Sequence, residues 1–208
     1  MKLQLALDLI DLEGARGLLE QLEGLIDIAE IGTPLIIQEG VRAVAAIKET
    51  YPELTVLADL KIMDAGEHEA KIAFEAGADI VTVLGVAHDS TILGVVDQAR
   101  SCDKAVMADL IAAGHVARRA GEIDAIGVDY VCVHTAFDMQ SQGLDPLEEL
   151  QLVQPVLKQA RMAVAGGVKP ETMAGIVPYH PEIVIVGGFI TGHEEPRRAA
   201  LEIRQRFA

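Results

Sequence analysis

The segment Ala58-Asp59-Leu60-Lys61-Ile62-Met63-Asp64 sets a carboxylate, an ammonium and a second carboxylate at spacings of two and three residues. In an extended strand alternate side chains point the same way, so Asp59 and Lys61 share a face about 7 Å apart and Leu60 turns away. Asp64 falls beyond such a strand, at the mouth of a pocket or against a partner subunit. Alone, the segment reads equally well as an ordinary ion pair, but other apolar runs also end in chemistry. They close on Asp8, Glu30, Asp109 and His134, and two more close on the glycine pairs Gly166-Gly167 and Gly187-Gly188. Glu30 and Asp59 are hard oxygen donors suited to a cation such as Mg²⁺ that keeps positions for water or substrate. The same pair can act as general acid and base or form a solvated rim, and no Cys/His cluster offers a zinc site. His134 follows Tyr130-Val131-Cys132-Val133 and precedes the polar segment 138–143, which suits an imidazole that moves protons near neutral pH. The other histidines, His68, His88, His115, His180 and His193, fall in helical or loop segments and read as surface residues. The glycine pairs suit close backbone approach to a phosphate, with a helix beginning near Thr172 and the turn at Gly188 offering N–H groups.

These residues need elements to hold them. Short β-branched runs recur near Leu3–Asp8, Ile26–Ile31, Thr55–Leu60, Ile80–Leu84, Ala105–Leu110, Tyr130–His134, Met162–Ala165 and Ile183–Val186. Between them lie amphipathic stretches such as Ile36–Thr50, Glu67–Glu75, Thr91–Arg100, Leu147–Gln159 and Pro196–Phe207. Eight apolar strands alternating with helices predict a (β/α)8 TIM barrel, one domain over residues 1–208. An open doubly wound sheet is the runner-up, but Leu9-Ile10-Asp11 follows the first strand where a glycine-rich loop is expected. In a barrel the strand ends converge on one pocket, which turns these scattered polar groups into a candidate site.

Composition narrows the function. The chain has 208 residues and a formal charge of −15, with 50% hydrophobic and 3% aromatic residues. Such an acidic chain, with no Lys/Arg run, is not expected to bind nucleic acid. Apolar runs such as Ile80–Val86 are far below the ~18 residues that span a bilayer, so no membrane anchor is expected. Cys102 and Cys132 lack metal-ligand spacing, and a reducing cytoplasm is the simplest expectation.

The motifs Leu3-Gln4-Leu5-Ala6-Leu7-Asp8, Glu30-Ile31-Gly32-Thr33-Pro34-Leu35, Ala58–Gly66, Ala165-Gly166-Gly167 and Val184–Gly188 resemble the 3-hexulose-6-phosphate synthase family, within the orotidine-5′-monophosphate decarboxylase suprafamily of (β/α)8 barrels. The resemblance covers essentially the whole chain. The activity it implies is reversible, Mg²⁺-dependent aldol condensation of D-ribulose 5-phosphate with formaldehyde to D-arabino-3-hexulose 6-phosphate, an aldehyde-lyase reaction of the ribulose monophosphate pathway. Mn²⁺ would be an acceptable substitute. By the same resemblance Glu30 and Asp59 hold the metal, Lys61 stabilises an enediolate, His134 is the acid/base and Asp8 positions substrate and lysine. Gly166, Gly167, Gly187 and Gly188 bind phosphate, Asp109 belongs to the catalytic set, and Asp64 reaches the neighbouring subunit's site in a homodimer with shared active sites. The chemistry agrees, because a carbanion formed beside a carbonyl needs positive charge and Lys61 and a cation provide it. The sister 3-keto-L-gulonate-6-phosphate decarboxylases are the alternative. Their pattern has an arginine three positions after the strand-six histidine and a glutamate ending strand five, where this chain has Phe137 and Asp109. Absence of the guanidinium favours the synthase. A non-catalytic sugar-phosphate-binding barrel is a second alternative, disfavoured by the presence of a proton-transfer histidine. Orotidine-5′-monophosphate decarboxylase itself is weaker still, since Gly187-Gly188-Phe189 supplies no phosphate-binding arginine.

Overall fold

The computed structural model describes residues 1–140, 143 and 145–207; of the segment 138–143, Ser141 and Gln142 lie outside the described residues. The elements run β1 (Lys2–Leu7), α1 (Leu12–Gln21), β2 (Ile28–Ile31), α2 (Thr33–Glu39), α3 (Arg42–Thr50), β3 (Thr55–Ile62), α4 (Gly66–Glu75), β4 (Ile80–Leu84), α5 (Asp89–Ser101) and β5 (Ala105–Asp109). They continue α6 (Val116–Ile126), β6 (Tyr130–His134), α7 (Phe137–Gln140), α8 (Leu147–Val153), β7 (Arg161–Ala165), α9 (Pro170–Ile176), β8 (Ile183–Val186), α10 (Gly188–Thr191) and α11 (Pro196–Arg204). Each strand pairs in parallel with its sequence neighbours, and β1 pairs with β8, closing the barrel. This is the predicted (β/α)8 fold.

Alternation along each strand builds two apolar layers. Outward residues such as Leu3, Leu5 and Leu7 of β1 and Val81 and Val83 of β4 join the helices' Leu18, Leu19, Ile92 and Val95 in the larger core. Inward residues, among them Ala6, Ile28, Leu57, Ile80, Met107, Tyr130, Cys132 and Ile183, fill the barrel. At the floor, Arg161 stacks its guanidinium 4.3 Å from the Tyr130 ring centroid.

The residue before each of β2, β4 and β6 is an aspartate making the same two bonds to the preceding strand. Asp27 donates its N–H to Leu3 O and accepts Leu3 N–H on Oδ2; Asp79 does so with Val56, and Asp129 with Val106. These side chains pair N–H groups that the staggered strand starts would otherwise leave unmet.

Several element boundaries differ from expectation. The second strand begins at Ile28, because Asp27 is engaged as a clamp. The stretch 36–50 is two helices, broken where Gly40 adopts φ +68° and closes α2 with a bond to Ile36 O. The stretch 147–159 stops being α-helical at Val153 and tightens into a 3₁₀ turn over Gln154–Val156, since Pro155 has no N–H to continue the ladder.

Candidate active site

The strand carrying Asp59 and Lys61 is not regular. Pairing of β3 with β4 holds at Leu57–Ile80 and Ala58–Val81 and resumes only at Ile62–Val83, a bulge in which Lys61 takes φ +48°. Left-handed backbone is uncommon for a lysine, and here its N–H is held by Thr82 Oγ1 at 2.9 Å. The result brings the side chains together, with Lys61 Nζ bonded to Asp59 Oδ2 and 3.6 Å from Asp109 Oδ2. Burial disfavours the ammonium, but Asp59 and Asp109 outweigh it and raise its pKa above that of an ordinary lysine. Lys61 therefore stays charged.

Asp59, 3% exposed, is held on both oxygens. Thr82 donates to Oδ1 at 2.7 Å and the Thr33 hydroxyl lies 2.8 Å from Oδ2. Beside it Glu30, also buried, accepts the Gln4 amide on Oε2 at 2.6 Å. Burial foremost, and then the charges of Asp59 and Asp8, push the Glu30 carboxyl well above its ordinary range. Asp8 is raised for the same reasons, burial first and Asp59 next. It stands just past β1, packed so closely over the next loop that a Cβ at Gly32 would lie 2.1 Å from its Oδ1.

A cation would relieve this crowding of three carboxylates. Glu30 Oε1 accepts no hydrogen bond among the described residues, so the donor set of Glu30 and Asp59 fits a hard divalent ion. No cluster of three or more His, Cys, Asp or Glu able to cage a metal occurs among the described residues. Two carboxylates with the remaining positions left to water and substrate is the arrangement Mg²⁺ favours.

Across the mouth, His134 Nδ1 lies 2.8 Å from Asp109 Oδ2, and Asp109 Oδ1 accepts Ile111 N–H at 2.9 Å. Burial alone would raise the Asp109 carboxyl, but the hydrogen bond and charge of His134, with Lys61, hold it below its ordinary value. An ionised Asp109 fixes the proton of His134 on Nδ1 and leaves Nε2 free to accept another.

The glycine pairs end β7 and β8 as expected. Gly166 has φ +89° and a Cβ there would sit 2.1 Å from Thr135 O, so only glycine fits. Gly167 lies next to the Gln140 side chain, and Gly188 faces open space. The helix expected near Thr172 begins earlier, at Pro170, which has no N–H, and Thr172 caps that turn by accepting Lys169 N–H. Pro170 offers no N–H there, which leaves the glycine turns as the candidate anion donors.

The structure gathers Asp8, Glu30, Asp59, Lys61, Asp109 and His134 at the mouth. Asp64 is exposed and accepts Ala65 N–H, with no bond to this group among the described residues. Phe137 is 74% exposed at the start of α7. His68, His88, His115 and His180 are exposed as expected, whereas His193 is half-buried against Phe189 and accepts Glu195 N–H. Sequence reasoning missed Gln4, Thr33 and Thr82 as holders of the carboxylates. The signal for two of them was a polar residue at an inward position of an apolar strand, which must find a partner.

Residues 1–203 match the model of the orotidine 5′-phosphate decarboxylase / HUMPS family. A curated relative from Bacillus subtilis (strain 168), named 3-hexulose-6-phosphate synthase, is 48% identical over 205 residues, covering 99% of this chain and 98% of its own. The crystal structure of 3-hexulose-6-phosphate synthase from Salmonella typhimurium superposes with a TM-score of 0.97 at 42% identity, covering 100% of this chain and 98% of that one. A 3-keto-L-gulonate-6-phosphate decarboxylase structure from Vibrio cholerae O1 biovar El Tor shares the fold, with a TM-score of 0.88 at 24% identity over 99% of this chain and 96% of its own.

Proposed function

Since the chain belongs to the orotidine 5′-phosphate decarboxylase / HUMPS family, we propose from that premise that it is an aldehyde-lyase joining D-ribulose 5-phosphate and formaldehyde to give D-arabino-3-hexulose 6-phosphate, reversibly. One observation carries the reading beyond family membership: a charged Lys61 held between Asp59 and Asp109, with a proton-accepting His134 on the other side of Asp109. That is the equipment for making and protecting a carbanion beside a carbonyl.

His134 Nε2 takes a proton from C1 of the ketose, next to the C2 carbonyl, while Asp109 steadies the imidazolium that forms. Negative charge spreads onto the enediolate oxygens, where the Lys61 ammonium offsets it. C1 then bonds to the formaldehyde carbon, and the new alkoxide takes up a proton as the C3 ketone of the product is restored. Formaldehyde has almost no surface to bind, so orientation energy comes from the sugar phosphate. The N–H groups of the Gly166-Gly167 and Gly187-Gly188 turns are suited to hold its phosphate, and Asp8 its hydroxyls. Mg²⁺, or Mn²⁺ in its place, would be held by Glu30 and Asp59, and when bound it would supply further positive charge for the developing oxyanion.

Asp64, exposed beside the half-exposed Met63, fits a homodimer in which each subunit lends this carboxylate to the other's site. Two free cysteines accord with a cytoplasmic enzyme. No helix is long and apolar enough to cross a membrane among the described residues. The test is formaldehyde consumption by purified protein with D-ribulose 5-phosphate and Mg²⁺. Loss that needs both substrates and stops with a chelator is expected. A folded protein that consumes none, yet releases CO₂ from 3-keto-L-gulonate 6-phosphate, would overturn the reading.

A further inference from the structure

We propose that Thr82 is the positioning residue of this site, its single hydroxyl setting the geometry of Asp59 and Lys61 together; the inference rests on the reading above, in which those two groups act on substrate. Thr82 is 3% exposed, at an inward position of β4 between Val81 and Val83, which face the helices. Among the described residues its hydroxyl bonds to Asp59 and Lys61, and it acts through them. In the bulge, residues 59–61 of β3 stand opposite Thr82 alone, because ladder pairing stops at Ala58–Val81 and resumes at Ile62–Val83.

The hydroxyl has one proton and spare lone pairs, and both kinds of capacity are used. The proton goes to Asp59 Oδ1 at 2.7 Å, and a lone pair takes the Lys61 N–H at 2.9 Å. The N–H it takes belongs to a residue at φ +48°, a conformation that L residues other than glycine seldom keep without an outside restraint. One atom thereby sets the backbone that launches the Lys61 side chain and the carboxylate which that side chain meets. A valine has nearly the same shape and neither capacity. It would leave Asp59 Oδ1 and Lys61 N–H unpaired in a buried site and free the bulge to relax.

Three proteins decide the matter: wild type, Thr82→Val and Thr82→Ser. The valine variant is expected to fold and to lose about 100-fold in kcat, with KM for D-ribulose 5-phosphate within about twofold, because reacting groups are displaced while phosphate binding is not. The serine variant keeps the hydroxyl and is expected within about fivefold of wild type. Amide hydrogen exchange at Lys61, read by NMR on all three, should be slow in wild type and serine and at least about tenfold faster in valine. A valine variant with kcat within twofold, unchanged Lys61 exchange, a serine variant as impaired as valine, or a valine variant that cannot fold would each overturn the proposal. A wild-type protein without turnover would sink the functional reading instead, and Lys61 exchange would still judge Thr82.

Discussion

In the proposed reaction Lys61 supplies charge and His134 moves the proton, and Asp109 lies between them with one oxygen 3.6 Å from the lysine and 2.8 Å from the imidazole. Their variants should therefore fail differently. Lys61→Ala leaves the developing oxyanion without its ammonium and should lower kcat by about 10²–10³-fold, with an unchanged circular dichroism spectrum. His134→Asn removes the base and should abolish deuterium uptake at C1 of D-ribulose 5-phosphate in deuterium oxide, while the sugar phosphate still binds. Undiminished exchange in the asparagine variant would move the base elsewhere. At this scale the sequence singled out residues that the fold brings together, since Asp8, Glu30, Asp59, Asp109 and His134 each end an apolar run. It was silent on who touches whom. Asp109 and His134 are 25 positions apart, Gln4 and Glu30 26, and Thr82 and Asp59 23. Such pairs depend on strand register.

Among the elements, the clamps at the floor of the barrel bear on stability, and the proposed chemistry lies at the mouth. Asp79 is the most heavily engaged of the three clamps, accepting Val56 N–H and the ammonium groups of Lys48 and Lys104. Burial works to raise its pKa, but these hydrogen bonds prevail and hold it below the ordinary carboxylate range. A depressed folded-state pKa stabilises above the unfolded value of about 3.9, and that stabilisation is lost as pH falls through the folded value. Asp79→Asn should cost about 1–2 kcal/mol at pH 7, a figure kept small because the ion pairs are partly solvated. The corresponding Tm drop is a few degrees, and the gap to wild type should close as the pH is taken below about 4. A gap independent of pH would show that the clamp works through shape and not charge. The βα alternation was legible from hydrophobic period, whereas the break at Gly40 and the bulge at Lys61 were not. The period locates an apolar face; it does not report a local φ.

For the whole molecule, the proposed homodimer makes a prediction about Asp64. If each site borrows Asp64 from the other subunit, Asp64→Asn and Lys61→Ala will each be inactive alone. Mixing and reassembling them should restore about a quarter of the wild-type sites, because a heterodimer contains one site with both intact residues. No recovery from folded, reassociated dimers would place Asp64 in its own subunit's chemistry. The sequence by itself determined the eight-fold βα repeat and the polar residues that close five of the strands, because hydrophobic period and the cost of a lone buried charge act locally along the chain. Only the tertiary structure decided that Asp109 holds His134, that Gln4 holds Glu30, and that Lys61 turns left-handed under Thr82. Those contacts depend on the stagger between strands distant in sequence, which closure of the barrel sets and no single segment encodes.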